Sequence, residues 1–243
     1  MIKLITFDLD NTLWDVMPVI IQAEKTMRAW IEARVPGYSE QISGDVMAEM
    51  RNSAVAQNPE LIYNISDMRL LLLKQALTRC GLNSASADDL AVQAFEVFMQ
   101  GRNAVSLYEG AEQMLDTLAK NYSLAALTNG NADVSVMPIA HYFDFSMSPE
   151  QVQARKPEPR IFAETLARAG CRATEVVHVG DHLIEDIDGA ISAGWRAVWV
   201  NIGAPNTEKD TRKDVPESPN YNAQITRLAE LPGVIEALDA QIA

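Results

Sequence analysis

Short apolar runs that alternate with amphipathic helical stretches constrain the fold of this chain more than any other feature. Four such runs, several of them rich in β-branched residues, are Leu4–Phe7, Leu124–Leu127, Val176–Val179 and Ala197–Val200. Apolar residues recur at helical spacing in Tyr108–Lys120 and Pro159–Ala169, and a strand candidate follows each of these stretches. Short apolar strands joined through helices are typical of a parallel sheet covered on both faces. The sequence therefore predicts an α/β fold, a Rossmann-like, doubly wound parallel sheet.

Two weaker strand candidates complete the predicted sheet. They are Phe143–Met147 and Ala223–Ile225, and a last helix is expected from about Pro232. The segment Gly203–Asn222 is polar and rich in Pro, Asn, Asp and Lys, which predicts an exposed loop.

A helical insert interrupts this pattern between Trp14 and about Val105, where the period is helical throughout and no strand is convincing. The predicted helices are a stripe over residues 16–31, a helix capped by Ser66–Asp67 and ending near Gly81, and Asp88–Gln100, with loops at 36–40 and 58–64. The predicted division is a catalytic core of residues 1–14 and 106–243 and a helical insert of residues 15–105.

Composition excludes several classes of function. A net charge of −13, from 20 Lys+Arg against 33 Asp+Glu, argues against nucleic acid or an anionic membrane surface as the main partner. No apolar run is long enough to cross a membrane, and the N-terminus does not read as a secretory signal. Cys80 and Cys171 are isolated, which fits a reducing compartment and neither a disulfide framework nor a zinc site. A cytoplasmic location is expected.

Polar residues follow three of the predicted strands at the point where each strand ends. Asp8 and Asp10 follow the first, Thr128 and Asn129 the second, and Asp181 the strand at 176–179. Ligands of parallel α/β sheets bind at the carboxyl ends of the strands, so these side chains should meet at one site. Two adjacent carboxylates repel each other unless a cation relieves them. Hard oxygen ligands in a sparse set predict Mg²⁺, with water and a substrate phosphate completing its coordination.

Four motifs in order resemble those of the haloacid dehalogenase superfamily of phosphohydrolases. They are DLDNT at Asp8–Thr12, Thr128 after the second strand, Lys156 in the KPEP segment, and GDHLIED at Gly180–Asp186. The helical insert matches the family's type 1 cap in position and class.

The resemblance implies a role for each matching residue. Asp8 would be the nucleophile that forms an aspartyl-phosphate, and Asp10 would be the general acid and base. Thr128 and Asn129 would bind phosphoryl oxygens with help from backbone amides, and Lys156 would offset charge on Asp8 and the transferring group.

The resemblance also implies the metal ligands, which are Asp8, the backbone carbonyl of Asp10, and Asp181. Asp186 would hold metal-bound water or orient Lys156. His178 alternates with valines and is expected to be a core histidine with a satisfied hydrogen bond, whereas His182 is a weaker candidate for lining the site.

Leaving-group contacts are less well defined by the sequence. Trp14, Asp15 and Arg69 are the candidates, because two of them follow the catalytic loop directly and the third lies in the cap.

A finer resemblance points to a bacterial subgroup that acts on flavin mononucleotide and on the phosphorylated ribitylamino-uracil precursor of riboflavin. It is based on DLDNTLWD, PELIYNIS, LTNGNAD and HVGDHLIEDIDGA, whereas SPEQVQARKP replaces the subgroup's glycine-rich approach to the lysine. The expected function is therefore a Mg²⁺-dependent phosphatase of a small phosphorylated metabolite.

Three alternatives remain open at this point. A phosphomutase would keep the same motifs, a haloacid dehalogenase would not need Asp10, and a non-catalytic phosphate-binding module would lack the cap or use the site only for binding. The sequence does not determine the oligomeric state.

Overall fold

The computed structural model describes residues 1–202 and 220–241, and six strands in this part of the chain form one parallel sheet. The strands are β1 Leu4–Phe7, β2 Ser123–Leu127, β3 Phe145–Met147, β4 Val176–Gly180, β5 Arg196–Val200 and β6 Ala223–Ile225. Their order is β3-β2-β1-β4-β5-β6, and every neighbouring pair is parallel. The predicted α/β class and all six predicted strands are confirmed.

Strand β1 lies in the middle of the sheet, which explains why its sequence is uniformly apolar or uncharged. Leu4 lies opposite Ser123 of β2 on one side and Val176 of β4 on the other. All residues of β1 are buried. Because the strand order reverses at β1, a crevice forms beyond its carboxyl end, and Asp8 is the first residue to enter it.

The chain forms two compact units, each described here by itself. The sheet unit comprises Met1–Asp15 and Ser106–Ala243, and the helical unit comprises Val16–Val105. The helical unit contains helices α1 Val16–Glu32, α2 Tyr38–Gln41, α3 Gly44–Gln57, α4 Ile65–Arg79 and α5 Ser84–Arg102. The sheet unit contains α6 Ala111–Ala119, α7 Pro149–Val152, α8 Pro159–Ala169, α9 Gly189–Ser192 and α10 Leu231–Ala240.

Helix α8 shows how the sequence pattern becomes packing in the sheet unit. It begins at Pro159, where a missing N–H costs no helical hydrogen bond, and it buries Ile161 and Phe162. The Phe162 ring meets the rings of His178 and Trp195 edge to face, with centroids 6.4 and 5.2 Å away. This packing covers one face of β4, so the strand that leads to Asp181 is rigidly supported.

The helical unit is held together by the close approach of α1 and α5. A Cβ added at Gly101 would lie 2.9 Å from the Cα of Ala23, so only glycine permits this contact. Its core includes Met27, Leu73 and Phe98. The packing of α1 against α5 explains the apolar stripe from which α1 was predicted.

Several predicted helix boundaries in this unit were wrong. Helix α4 begins at Ile65 because Asn64 caps it, its side chain accepting from the Asp67 N–H at 2.9 Å, so Ser66–Asp67 is not the cap. Helix α5 begins at Ser84, after an Asn83 cap that the apolar pattern did not reveal.

The two segments predicted as loops also contain short helices. Residues 38–41 form α2, and Pro59–Tyr63 form a 3₁₀ turn. Helix α3 was not predicted, because it fully buries only Ala54 and so lacks an apolar stripe.

Helix α10 begins at Leu231, one residue before the predicted start. The predicted loop Gly203–Asn222 lies outside the described residues except for its last three. None of the helices in the described part of the chain is long and apolar enough to span a membrane.

Candidate active site

A cavity of about 190 Å³ lies at the carboxyl ends of β1, β2 and β4 in the sheet unit. The lining residues are Asp8, Asp10, Asn11, Thr128, Asn129, Gly130, Asp181, His182, Glu185 and Asp186. The three polar strand ends identified in the sequence therefore meet at one place, with five carboxylates among the described lining residues. Such a concentration of negative charge requires cations beside it.

The loop after β1 is a tight turn built around Asn11. Asn11 adopts a left-handed conformation with φ of 61°, which asparagine tolerates better than most residues, and its N–H donates to the Trp14 carbonyl at 2.7 Å. Upstream, the Asp8 N–H donates to the Val179 carbonyl of β4 at 2.9 Å. At the far side of the turn, the Thr12 hydroxyl donates to Asp181 Oδ1 at 3.1 Å. The turn thus fixes the first motif relative to the fourth.

Lys156 is the cation at the base of the cavity, and its side chain is 1% exposed. Its ammonium donates to Asp8 Oδ1 at 2.7 Å, to the Leu127 carbonyl at 2.7 Å and to Asp186 Oδ1 at 2.6 Å. An ammonium has three protons, and here each has an acceptor. No residue in 1–202 or 220–241 donates a hydrogen bond to the other carboxylate oxygen of Asp8, Oδ2.

The pKa values of these groups reflect burial and mutual attraction. Burial would lower the pKa of Lys156, but the Asp186 and Asp8 carboxylates outweigh it and raise that pKa. Burial opposes the charge on Asp186 as well, but Lys156 and His178 hold the pKa of this carboxyl well below its usual range. For Asp8 burial dominates over Lys156, and the pKa of Asp8 is raised. The Lys156–Asp186 ion pair therefore stays charged, and Asp8 lacks part of the positive charge that would hold it ionised.

Asn129 holds the backbone of Lys156 on both sides. Its Oδ1 accepts from the Lys156 N–H at 2.8 Å, and its Nδ2 donates to the Lys156 carbonyl at 2.9 Å. The same Nδ2 donates to Glu185 at 2.8 Å, and Arg155 pairs with the other oxygen of Glu185 at 3.2 Å. The amide of Asn129 is thus engaged with the protein, and its assignment to phosphate binding stays a prediction.

The GDHLIED motif folds into a π-helical turn, Leu183–Asp188, and such turns occur frequently at functional sites. The Asp186 N–H donates to the His182 carbonyl and the His182 N–H donates to Asp186 Oδ2, both at 2.9 Å. This reciprocal pair joins Asp186 to His182, the residue that directly follows Asp181. It turns Asp186 back toward Lys156.

His178 supports Asp186 from inside the sheet, as the alternation with valines predicted. The imidazole is fully buried, its Nε2 lies 3.0 Å from Asp186 Oδ1, and its Nδ1 lies 2.8 Å from the Thr6 hydroxyl. Burial lowers the pKa of His178 below its ordinary value. The predicted core histidine with a satisfied hydrogen bond is confirmed, and His182 lines the cavity.

The carboxylates of this site fit a divalent cation. Oxygen atoms of Asp8, Asp181 and Asp186 lie within 4.8 Å of one another. Burial, with a contribution from Asp186, raises the pKa of Asp181 to about 7, so the protein alone does not supply enough positive charge to keep this group ionised. Because both Asp186 oxygens accept protein N–H donors, Asp8, Asp181 and the Asp10 carbonyl are the better candidates for direct metal ligands. Hard oxygen donors of this kind suit Mg²⁺.

The three residues expected to contact a leaving group differ in exposure. Trp14 is fully buried, so it offers no surface to a ligand, and that expectation was wrong. Asp15 is exposed. Arg69 is half-buried in the helical unit, where it pairs with Glu24 at 2.8 Å and its guanidinium lies 3.7 Å from the Phe98 ring centroid.

Arg69 lines a second cavity, of about 580 Å³, within the helical unit. Its lining residues are Glu24, Arg28, Gly44, Met47, Ala48, Arg51, Ile65, Met68, Arg69 and Leu72. The three arginines outnumber the single described carboxylate, and the rest of the lining is mostly apolar. This cavity favours a ligand that combines an apolar body with negative charge.

The sequence did not reveal the residues that hold the catalytic groups. Thr6 and Arg155 are ordinary polar residues by sequence, and only their contacts across the fold connect them to the site. Thr12 and Glu185 lie within the DLDNT and GDHLIED motifs, but their bonds to Asp181 and Asn129 became visible only in the structure.

Gly180 is expected to be essential for the position of Asp186. A Cβ at this residue would lie 2.4 Å from both Cγ and Oδ2 of Asp186, so Gly180→Ala must displace that carboxylate. We expect kcat to fall by about 100-fold, since small displacements of catalytic groups have effects of this size. The change in kcat is measured by steady-state kinetics with any substrate that the native enzyme hydrolyses. Gly233→Ala in α10, where nothing lies within 4 Å, is the matched control and should leave kcat unchanged. Equal kcat for Gly180→Ala and the native enzyme would contradict the prediction.

Comparisons with known proteins agree with this geometry. The family model for haloacid dehalogenase-like hydrolases matches residues 2–194. The chain is 28% identical over 199 residues to the 5-amino-6-(5-phospho-D-ribitylamino)uracil phosphatase YigB of Escherichia coli, covering 82% of this chain and 83% of that protein. It is 28% identical over 238 residues to a phosphoserine phosphatase of Thermus thermophilus, covering 88% and 94%. A solved structure described as a 2-haloacid dehalogenase from Pseudomonas syringae pv. Tomato superposes with a TM-score of 0.88 at 38% identity, covering 98% and 99%.

Proposed function

Because the chain belongs to the haloacid dehalogenase-like hydrolases, we propose that it is a Mg²⁺-dependent phosphatase of small phosphate monoesters that works through an aspartyl-phosphate on Asp8. The observation that carries the proposal is the position of Asp8. Lys156 holds its Oδ1, its Oδ2 has no donor among the described residues, and it lines the cavity together with Asp10 and Thr128. A carboxylate held by one oxygen presents the other for attack.

In the first step, Asp8 Oδ2 attacks phosphorus and the bond from phosphorus to the leaving oxygen breaks. Asp10 donates a proton to that oxygen, so the alcohol leaves neutral. In the second step, Asp10 takes a proton from water, whose oxygen attacks the phosphorus of the aspartyl-phosphate. The bond to Asp8 breaks, inorganic phosphate forms, and both carboxylates return to their starting states.

Other residues of the cavity bind and orient the phosphoryl group. The Thr128 hydroxyl, which accepts from the Gly130 N–H at 3.0 Å, is free to donate its proton to a phosphoryl oxygen. Lys156 reduces the charge on Asp8 as the phosphoryl group approaches. Asp8, Asp181 and the carbonyl of Asp10 would hold Mg²⁺. A bound Mg²⁺ would offset the negative charge of the phosphoryl oxygens.

Haloacid dehalogenation is the second candidate, because the solved structure at 38% identity is described as a dehalogenase. In that reaction the nucleophilic carboxylate displaces halide, which leaves without protonation, so neither a general acid nor a metal is needed. Asp10 in the cavity favours the phosphatase. A phosphomutase and a non-catalytic phosphate-binding module are the remaining alternatives, and phosphate release to water distinguishes both from the phosphatase.

We propose that side chains of the helical unit rank the substrates. The three arginines of its cavity suit a ligand that carries a carboxylate or another anionic group. The relatives suggest two candidate substrates, since one is named for a ribitylamino-uracil phosphate and another for phosphoserine. Flavin mononucleotide belongs in the same panel.

The test is phosphate release from a panel of flavin mononucleotide, the ribitylamino-uracil phosphate, phosphoserine, sugar phosphates and 4-nitrophenyl phosphate. We expect release with Mg²⁺ and a loss of at least about 100-fold after EDTA treatment, restored by added Mg²⁺. Chloride release from 2-chloropropionate is measured in parallel. Chloride release that is insensitive to EDTA, without phosphate release, would replace the phosphatase by a dehalogenase.

A further inference from the structure

Trp14 is a large side chain that is fully buried, although its indole carries a polar N–H group. That N–H donates to Asp10 Oδ1 at 3.0 Å. An indole has a single donor and no acceptor, so this contact uses its whole hydrogen-bonding capacity. A buried indole N–H needs an acceptor, and the acceptor here is the carboxylate of Asp10.

The backbone around Trp14 is fixed on both sides, so the indole cannot follow Asp10 if that side chain moves. The Trp14 carbonyl accepts from the Asn11 N–H at 2.7 Å, and Trp14 also forms a bridge with Leu107. The adjacent Leu13 carbonyl accepts from the Tyr108 N–H at 2.8 Å. Trp14 is therefore a rigid donor.

Asp10 lines the cavity and is half-buried, and its backbone pairs with Trp14 in a parallel bridge. An aspartate side chain can rotate about two bonds, and most of its rotamers do not point toward a leaving oxygen. A donor fixed at Oδ1 restricts the orientations that this carboxylate can adopt.

We propose that Trp14 is a positioning residue for Asp10, and that it acts on catalysis only through that carboxylate. The inference goes beyond the proposed phosphatase function and rests on it. It predicts that loss of the Trp14 N–H slows the reaction most for substrates whose leaving group must be protonated.

Single-turnover kinetics with excess enzyme and Mg²⁺ test this on Trp14→Phe, which keeps an aromatic ring and removes the N–H. An alkyl phosphate must leave as a protonated alcohol, whereas 4-nitrophenolate leaves without a proton. We expect alcohol release from the alkyl phosphate to slow by about 10-fold or more, and 4-nitrophenol release to change by less than about twofold. Equal slowing on both substrates would mean a structural role and would overturn the proposal.

A double variant provides the second arm. Asp10→Asn should show the same selectivity against the alkyl phosphate, and Trp14→Phe added to Asp10→Asn should slow alcohol release no further, because the group it positions no longer acts. Multiplicative losses in the double variant would contradict the inference.

Indole NMR of the full chain keeps the test independent of activity and of the folding of Trp14→Phe. The chain has four tryptophans, and Asp10→Ala should shift the Nε1–H resonance of Trp14 while those of Trp30 and Trp195 stay in place. An unchanged Trp14 resonance would overturn the inference. If the enzyme hydrolyses no phosphate ester, the proposed phosphatase function is wrong. In that case the Nε1–H resonance of Trp14 still decides whether Trp14 binds Asp10.

Discussion

Asp8→Asn is expected to abolish phosphate release, lowering kcat by about 10⁴-fold or more. The substitution keeps the size and planar shape of the side chain and removes the nucleophilic oxygen anion. Asparagine can still accept the hydrogen bond that Lys156 donates to Asp8 Oδ1, so the site should remain assembled. The loss is therefore chemical and not a result of unfolding.

The measurement is phosphate release at saturating substrate and Mg²⁺, with thermal unfolding as a check on folding. Asp116→Asn on α6 is the matched control, because it makes the same isosteric change at an exposed carboxylate outside the cavity. We expect this control to keep native kcat. If Asp8→Asn kept more than a few per cent of native activity, Asp8 would not be the nucleophile.

Lys156→Met is expected to have the largest effect on stability. It removes the partner of two buried carboxylates, Asp8 and Asp186, which lie 2.7 and 2.6 Å from the ammonium. Stranding a buried charge by removing its partner typically costs about 3–5 kcal/mol of unfolding free energy. The Leu127 carbonyl loses its hydrogen bond from Lys156 at the same time. Activity should fall to background as well.

Urea unfolding in EDTA measures this cost without interference from metal binding. Lys156→Met/Asp186→Asn should be more stable than Lys156→Met alone, because the second change removes the stranded charge. Lys120→Met, which breaks an exposed ion pair with Asp116, is the control and should change stability by less than about 1 kcal/mol. If Lys156→Met were as stable as the control, the ion pairs would not support the fold.

Much of the fold was accessible from local sequence patterns. β1 and α8 lie where the apolar patterns predicted, because burial imposes a period on the residues that form each element. The prediction was weakest in the helical unit. Asn64 and Asn83 lie outside the apolar stripes of the helices that they cap, and α3 exposes most of its surface, so neither the caps nor α3 could be identified from apolar periodicity.

The sequence by itself determined which residues reach the site, because the polar residues Asp8, Thr128 and Asp181 directly follow strands that must lie parallel. Only the tertiary structure decided how those residues are held. Lys156 finds acceptors on three separate segments, and Trp14 turns out to be buried against Asp10 instead of facing a ligand. The physical reason is that strand ends follow from local patterns, whereas hydrogen-bond partners distant in the chain depend on how the elements pack and which rotamers that packing allows.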